Sequence, residues 1–327
     1  MRRREFLGGL GGAAAAWPLA ARAQERVPRV GVLTSYSATD PNAQAQLAAF
    51  RSGLEQHGWV EGRNVRIEAR YAGGRTELYR SLAKELVASK PDIIFAVTTP
   101  IVAAVSRETS AIPIVFINVS DPIGSGFVKS MARPGRNLTG LSLYEEGITG
   151  KWLGMLKEIA PQLARAALVA DPRMAPFDYY VRSAKAVASS LGIEAVPSPV
   201  ATTDDIERTI ASFAQKINGG LVVLPSTTLS KHRDLVIVLA ARYRLPAVYA
   251  IHDFVPAGGL MAYSTDQVEL ARQAASYVDR ILRGGKPSEL PAQAPTKYQT
   301  TINLKTAKAL GLTVPAGLLV AADQVIE

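Results

Sequence analysis

The stretch PDIIFAVTT at residues 91–99 is followed by a helical stretch near 101–108 and then by IPIVF at residues 112–116. The same layout returns as GGLVVLPST at residues 219–227, a helical stretch and LPAVY at residues 245–249. Short runs of β-branched and apolar residues separated by helices of 3.6-residue periodicity are typical of α/β folds with parallel sheets. Because both copies place a proline just before the last strand, we expect two lobes of similar topology.

Outward from these two stretches, strands and helices alternate along most of the chain. Strands are predicted at residues 30–34, 93–97, 114–118, 166–170, 194–197, 221–224 and 247–249. Helices are predicted around Leu47, Phe50 and Leu54, around Leu78, Leu82 and Leu86, and near residues 101–108, 148–159, 177–190, 204–216 and 231–243. The expected fold class is therefore α/β, with two doubly wound parallel-sheet lobes.

Length and composition suit such a protein. The chain has 327 residues, of which 48% are hydrophobic and 20% charged. A compact domain usually has ~100–200 residues, so the length suits two lobes that each bury a core. The absence of cysteine from the sequence excludes disulfide scaffolds, thiol enzymes and Cys-ligated zinc.

The N-terminus, residues 1–23, has the form of a cleaved export signal. Arg2, Arg3 and Arg4 precede an apolar stretch at residues 6–19, and Ala-Arg-Ala at residues 21–23 resembles a signal peptidase site. The run RREFL at residues 3–7 also resembles the twin-arginine motif. A membrane anchor is disfavoured, because the apolar run is shorter than the ~20 residues that span a bilayer. We expect cleavage before Gln24 and a periplasmic protein.

The charge gives little support for a nucleic-acid partner. The formal net charge is +9, but residues 1–23 hold four arginines and one glutamate, so +6 remains after cleavage. The other basic residues are scattered, with no block of five or more. We expect no nucleic-acid binding.

Catalytic motifs are missing from the sequence. It has no Gly-x-Ser-x-Gly elbow, no P-loop and no His-Glu-x-x-His, and the spacing of His57, His232 and His252 does not suit a metal site. Gly124-Ser125-Gly126 begins like a dinucleotide fingerprint, but Lys129 stands at the position of the third glycine. We therefore expect no cofactor and no metal. A hydrolase that uses paired carboxylates stays open as an alternative.

Several junctions between strands and helices place a capping side chain before a proline. They are Asp40-Pro41, Thr99-Pro100, Asp121-Pro122 and Asp171-Pro172. In open parallel sheets ligands bind outside the carboxyl ends of the strands. Helix N-termini that meet there favour an anionic group such as a carboxylate, although each residue could equally be only a helix cap.

Several longer motifs resemble one family along nearly the whole mature chain. They are GVLT at residues 31–34, GWVEGRNV at 58–65, IPIVF at 112–116, VSDP at 119–122, RPGRNLTG at 133–140, GLMAY at 259–263 and INLKTAKALGL at 302–312. With these motifs the chain resembles the ABC transporter substrate-binding proteins, whose best-known members serve aromatic amino acid uptake. The loop LPSTT at residues 224–228 departs from many relatives, which carry an aromatic residue or an acid there.

The resemblance implies a type I periplasmic binding fold, in which two lobes joined by crossover strands close on a ligand. Lobe one would comprise residues 27–143 and 264–287, and lobe two residues 144–263 and 288–327. The implied ligand contacts lie in loops at strand ends: Ser35, Tyr36, Thr98, Thr99, Ser120, Asp121, Tyr144, Asp171, Ser226, Tyr249 and Asp253.

The function implied is capture of a small solute and its delivery to an ABC permease in the inner membrane, by a protein expected to be a monomer. We expect hydroxyls to hold a carboxylate and Tyr36, Tyr144 and Tyr249 to flank an apolar body. An aspartate close to the ligand would pair with an ammonium group and so indicate an amino acid. If the aspartates serve only as helix caps, the ligand would be an aromatic carboxylate without an amino group. The ligand-sensing half of a repressor shares this fold and is disfavoured by the export signal.

Overall fold

The structure is a computed structural model, and it describes residues 26–173 and 176–327. The predicted signal peptide, residues 1–23, lies outside the described residues. The strands are β1 (Arg29–Thr34), β2 (Arg66–Tyr71), β3 (Ile93–Val97), β4 (Ile114–Val119), β5 (Leu138–Ser142), β6 (Arg165–Ala170), β7 (Glu194–Pro199), β8 (Gly219–Val223), β9 (Ala247–Tyr249), β10 (Met261–Thr265), β11 (Tyr298–Asn303) and β12 (Gln324–Ile326).

The helices alternate with these strands. They are α1 (Pro41–Gln56), α2 (Tyr79–Ala88), α3 (Thr99–Glu108), α4 (Ile148–Ile159), α5 (Phe177–Ala188), α6 (Thr203–Phe213), α7 (Thr227–Lys231), α8 (Arg233–Arg242), α9 (Gln267–Leu282), α10 (Leu304–Ala309) and α11 (Ala316–Val320). Within the described ranges, no helix has the length and apolar character needed to cross a membrane.

The first lobe is built on a five-stranded sheet with the order β2-β1-β3-β4-β5, in which all pairs are parallel. One face buries apolar residues of α1 and α9, and Phe50 of α1 stacks on Phe95 of β3 with ring centroids 4.2 Å apart. The other face buries residues of α2 and α3. Helices on both faces explain why β3 is a continuous apolar run and why β4 is apolar except for Asn118, since neither face of these strands meets water.

The second lobe is built on a seven-stranded sheet with the order β12-β11-β10-β9-β8-β6-β7. Helices α4 and α5 cover one face, and α6 and α8 cover the other. Strand β11 runs antiparallel to β10, whereas the other pairs are parallel. The predicted α/β class with two doubly wound lobes is thus confirmed, with one antiparallel pair near an edge.

The chain passes between the lobes three times, after β5, after β10 and before β11. Leu290 packs in the first-lobe core, and the backbone of Gln293 bonds to Gly140 and Ser142 beside β5. We therefore propose that the first lobe extends to about residue 293 instead of the expected 287. The rest of the predicted division between lobes stays a prediction.

Two local differences from the predicted elements have physical causes. The helix predicted at 231–243 is divided, because His232 has φ −105° and ψ 26° and separates α7 from α8. Strand β2 was not predicted, since its sequence RIEARY holds three charged residues in six. Its position at the edge of the sheet lets those side chains reach water.

Candidate functional site

A cavity lies between the lobes at the carboxyl ends of the strands. Each residue that lines it stands at the end of a strand or in the segment that follows, in both lobes. They are Tyr36, Thr98, Thr99, Pro100, Asn118, Ser120, Leu143, Pro225, Ser226, Thr227, Ile251 and Gln267. Open α/β sheets bind ligands at this edge, so the cavity is the candidate site.

The lobes lie closed around this cavity. It measures about 30 Å³, whereas small-molecule sites commonly measure ~300–1,000 Å³. At the edge of the cleft, Asn42 Nδ2 of the first lobe donates a hydrogen bond to Asp253 Oδ2 of the second, at 3.3 Å. Thr99 and Pro100 also border a wider space of about 700 Å³ between the lobes. A ligand larger than a water molecule can therefore occupy the narrow cavity at the strand ends only if the lobes separate there.

The lining is polar without being charged. Among the described residues that line the cavity, none carries a carboxylate, an ammonium, a guanidinium or an imidazole. Hydroxyl groups and side-chain amides supply the polar contacts: Thr98, Thr99, Ser120, Ser226, Thr227, Asn118 and Gln267. Neutral donors and acceptors must therefore recognise whatever the cavity binds.

Thr98, between β3 and α3, has a strained backbone. Its φ is 86° and its ψ 148°, a region that β-branched residues rarely adopt. The hydroxyl of Thr98 donates to Ser35 Oγ at 3.2 Å, and Thr98 N donates to Ile117 O at 3.1 Å. Strain of this kind is retained where the surrounding structure enforces it, commonly at functional sites. The result is a hydroxyl held in one place at the wall of the cavity.

Helix α3 begins at this point with its first turn uncapped by a side chain. Thr98 is the N-cap residue, but it makes no side-chain hydrogen bond to the helix. Thr99 and Pro100, the first two helical residues, line the cavity. The positive end of the ten-residue α3 dipole therefore faces the space between the lobes.

A network of buried amides lies behind the cavity. Asn118 Nδ2 donates to Gln46 Oε1 at 3.1 Å and to Gln267 Oε1 at 3.3 Å. Gln46 Nε2 also donates to Gln267 Oε1, at 3.2 Å. Because Gln267 begins α9 directly after a passage between the lobes, the network joins the wall of the cavity to the hinge region.

Tyr36 adds a neutral phenol to this wall. Its hydroxyl donates to Gln267 Oε1 at 3.5 Å. Burial, together with the nearby charges of Asp40 and Asp253, raises the pKa of Tyr36 far above its ordinary value. The phenol therefore stays protonated at any physiological pH and acts as a hydrogen-bond donor.

The structure brings five of the eleven predicted contact residues to the cavity. They are Tyr36, Thr98, Thr99, Ser120 and Ser226. Ser35 is fully buried behind them and accepts the Thr98 hydrogen bond. Ser226 is also the N-cap of α7, where its hydroxyl accepts from Leu229 N.

Tyr144 and Tyr249 do not line the cavity. The Tyr144 hydroxyl donates to Ala250 O, and its ring packs edge-on against Trp152. Tyr249 stacks on Phe254 with centroids 4.7 Å apart. Both rings are buried in the two cores of the second lobe, because their side chains point toward a sheet face instead of the strand end.

The three predicted acids also lie away from the cavity lining. Asp121 accepts from Gly124 N at 2.7 Å and closes a turn. Asp171 is buried and bonds to Arg173 Nη2 and to Thr228 Oγ1, each at 2.7 Å. Asp253, half exposed, meets Asn42 at the edge of the cleft.

The environment of Asp171 keeps it ionised. Burial alone would raise its pKa, but hydrogen bonds from Arg173 and Thr228 hold the pKa of Asp171 below its ordinary value. Its charge is thereby neutralised within the second lobe, away from the residues that line the cavity.

Sequence reasoning missed Asn118, Gln267, Leu143 and Ile251, which also line the cavity. Asn118 had one usable signal, since it is the single polar residue in the buried strand IVFINV. Gln267 had no such signal, because its partners lie far away in sequence. Among the described residues, no group of three or more His, Asp or Glu side chains is placed to hold a metal ion.

The chain is similar to characterised and solved proteins along most of its length. It is 26% identical over 272 residues to a "Tyrosine-binding protein" of Clostridioides difficile, covering 83% of this chain and 78% of that protein. It is 27% identical to a conserved domain protein of Vibrio cholerae, covering 92% of this chain and all of the other, with a TM-score of 0.85. A Streptococcus pneumonia ABC domain solved in complex with L-Trp is 24% identical, covering 91% and 99% of the chains, with a TM-score of 0.84.

The family model of the ABC transporter substrate binding proteins matches residues 30–326. That range includes both lobes and every residue that lines the cavity. The resemblance found in the sequence motifs is thereby confirmed, and with it the type I periplasmic binding fold. The chain belongs to the ABC transporter substrate binding protein family.

Proposed function

We propose that this protein is the solute-binding component of an ABC importer, and that it captures a small carboxylate-bearing ligand, an amino acid or an aromatic acid. The observation that carries the proposal is the uncapped start of α3 at the cavity. A helix N-terminus offers free N–H groups and a positive dipole end, which favour an anion. The hydroxyls of Thr99 and Ser226 add neutral donors around it.

Two relatives support the ligand class. One is a tyrosine-binding protein, and another was solved with L-Trp. Both ligands carry a carboxylate and an aromatic ring. In this chain Leu143, Pro225 and Ile251 supply the apolar part of the cavity lining, so an apolar or aromatic body is compatible with the site once the lobes have opened.

The proposal includes a place of action and a partner. Export by residues 1–23 would deliver the mature chain to the periplasm, where an ABC permease of the inner membrane would receive the ligand. We propose that the protein acts there as a monomer and by binding alone, without cofactor or catalysis. The uncharged cavity lining supports this, because a hydrolase of paired carboxylates needs acids at the reacting bond.

Thermal-shift screening of the mature protein against amino acids, aromatic acids and sugars tests the ligand class. A ligand that binds only the folded chain at a hundredfold excess over Kd adds about 2.7 kcal/mol of stability. We expect carboxylate-bearing compounds to raise Tm. A Tm raised only by neutral sugars would contradict the proposal.

A pair of variants links the effect to the site. Thr99→Val removes a hydroxyl from the cavity wall and keeps the β-branched shape. Thr99 Oγ1 accepts from Ser120 N at 3.2 Å, so its own hydrogen is free to bind a ligand. Since a hydrogen bond to a charged group contributes about 1.5–3 kcal/mol, we expect a Kd about 10- to 150-fold weaker. Thr203→Val, at the exposed start of α6, is the control and should bind as the unchanged protein does.

A further inference from the structure

We propose that Asn118 Oδ1 is the acceptor for the ammonium group of a zwitterionic amino acid, whose carboxylate lies at the start of α3. The inference rests on the proposed function and narrows its ligand class. The ammonium group distinguishes amino acids from aromatic acids that lack an amino group. No aspartate or glutamate lines the cavity among the described residues, so an uncharged oxygen must accept from this group.

Asn118 is held in an unusual backbone conformation. It has φ 56°, a left-handed region that asparagine adopts more readily than most residues. The pairing of β4 with β5 shifts register between Phe116 and Val119. Such an irregularity redirects side chains, and here it places a polar side chain of a buried strand at the cavity.

The two ends of the Asn118 amide have different surroundings. Nδ2 donates both of its hydrogens, to Gln46 Oε1 and Gln267 Oε1. The orientation follows from Asp253, whose carboxylate accepts from Asn42 Nδ2 at 3.3 Å. Asn42 therefore presents its oxygen to Gln46 Nε2, at 3.4 Å, and Gln46 presents its own oxygen to Asn118. Oδ1 is buried, and no described residue bonds to it, while the whole residue is only 4% exposed. Buried acceptors nearly always have a partner, and a donor in the cavity would supply one.

The neighbouring strand places the anion site beside this acceptor. Thr98 N donates to Ile117 O at 3.1 Å, so the residue before α3 is bonded to the residue before Asn118. The α-carboxylate and α-ammonium of an amino acid are separated by a single carbon. The N-terminus of α3 and the Asn118 side chain lie at the ends of two adjacent strands, so they can bind these two neighbouring groups of one ligand.

Net charge favours the same ligand. A plain carboxylate would bring an uncompensated negative charge into a lining without a cationic side chain among its described residues, and burial of an unpaired charge is unfavourable. A zwitterion brings no net charge. The α3 dipole and the amide oxygen then each meet the end of the ligand that they stabilise.

Calorimetry with matched ligand pairs tests the inference on the mature protein. The probes are L-tryptophan against 3-indolepropionate, and L-tyrosine against 3-(4-hydroxyphenyl)propionate, which differ only in the amino group. Loss of one charge-assisted hydrogen bond should weaken Kd about 10- to 150-fold. We expect the unchanged protein to prefer the amino acid of a pair by this factor.

Asn118→Gly is the matching variant, since glycine accepts a left-handed φ without strain. It should lose most of the preference: the ratio of the Kd of the desamino acid to the Kd of the amino acid should fall from about 10–150 toward one. The ratio is the readout, because loss of the bonds to Gln46 and Gln267 acts on both members of a pair. Asn218→Gly is the control, because Asn218 has φ 58° at an exposed position outside the cleft. It should keep the full preference.

The outcomes separate this inference from the proposed function. Equal binding of both members of a pair by the unchanged protein would overturn the role of Asn118 and leave the carboxylate ligand intact. A preference retained by Asn118→Gly would also overturn it. If neither member of either pair binds, the inference fails, and if sugars bind instead, the proposed function fails with it.

Discussion

Asp171 illustrates how the fold determines what a single residue does. The sequence places it after a strand and before a proline, as for other helix caps at the cleft. In the structure it is neutralised by Arg173, while Thr228 of α7 bonds to its second oxygen. Asp171 thus joins the end of β6 to the segment after β8, and we expect it to contribute to stability.

Asp171→Asn should lower the free energy of unfolding by about 1.5–3 kcal/mol at pH 7, the contribution of a hydrogen bond to a charged group. The pKa of Asp171 lies below its ordinary value of 3.8 in the folded chain, so the unfolded chain takes up this proton more readily. The stabilisation is therefore complete above the ordinary pKa and is lost as pH falls through the folded value.

Urea unfolding at pH 7 and pH 3 measures this effect. We expect the difference between the unchanged protein and Asp171→Asn to be smaller at pH 3. Asp234→Asn is the control, since that side chain is 80% exposed and its loss should change stability little. A difference that grows toward low pH would show that the Arg173 pair does not stabilise the fold.

At the level of elements, the contact between β4 and β5 depends on Gly140. This residue has φ 149°, and a Cβ placed on it would lie 2.0 Å from Phe116 O and 2.6 Å from Phe116 N. Both neighbours are backbone atoms of β4, which cannot rotate away. The close approach lies directly beside the register shift that carries Asn118.

Gly140→Ala should therefore destabilise the protein by on the order of 3 kcal/mol or more, through overpacking and backbone strain together. Gly154→Ala is the matched control, because Gly154 lies inside α4 with no atom within 4 Å of the added Cβ. There the change should stabilise by up to ~1 kcal/mol. Urea midpoints measure both, and equal midpoints would contradict the role of Gly140.

For the whole molecule, the proposed function requires the lobes to move. The closed cavity of about 30 Å³ cannot contain an amino acid, and the contacts that line it come from both lobes. A ligand that contacts both lobes stabilises an arrangement in which they close on it, with the cavity enlarged to the size of the ligand. Opening and closing would take place at the three passages between lobes.

Small-angle scattering tests this motion. Addition of a compound that raises Tm should reduce the radius of gyration, because the ligand favours closed molecules over open ones. A compound from the same screen that leaves Tm unchanged serves as the control and should leave the radius unchanged. An unchanged radius at saturation with a bound compound would contradict the closing mechanism.

The α/β class, the two lobes and the family can all be predicted from the amino-acid sequence. These depend on local features, such as the periodicity around Leu47 and Phe50, and on motifs that are read directly along the chain. The sequence also placed the hydroxyls of Thr98 and Ser226 at strand ends. Signals of this kind need no knowledge of distant contacts.

Which strand-end residues line the candidate cavity depends on the packing of the folded chain. Tyr249 became a core residue because of the direction of its side chain on β9, and Asp171 because Arg173 and Thr228 took up its charge. Asn118 became a candidate contact through Gln46 and Gln267, which lie 72 and 149 residues away from it in the chain. Side-chain direction and such long-range partners arise from packing between elements, and no local pattern in the sequence encodes them.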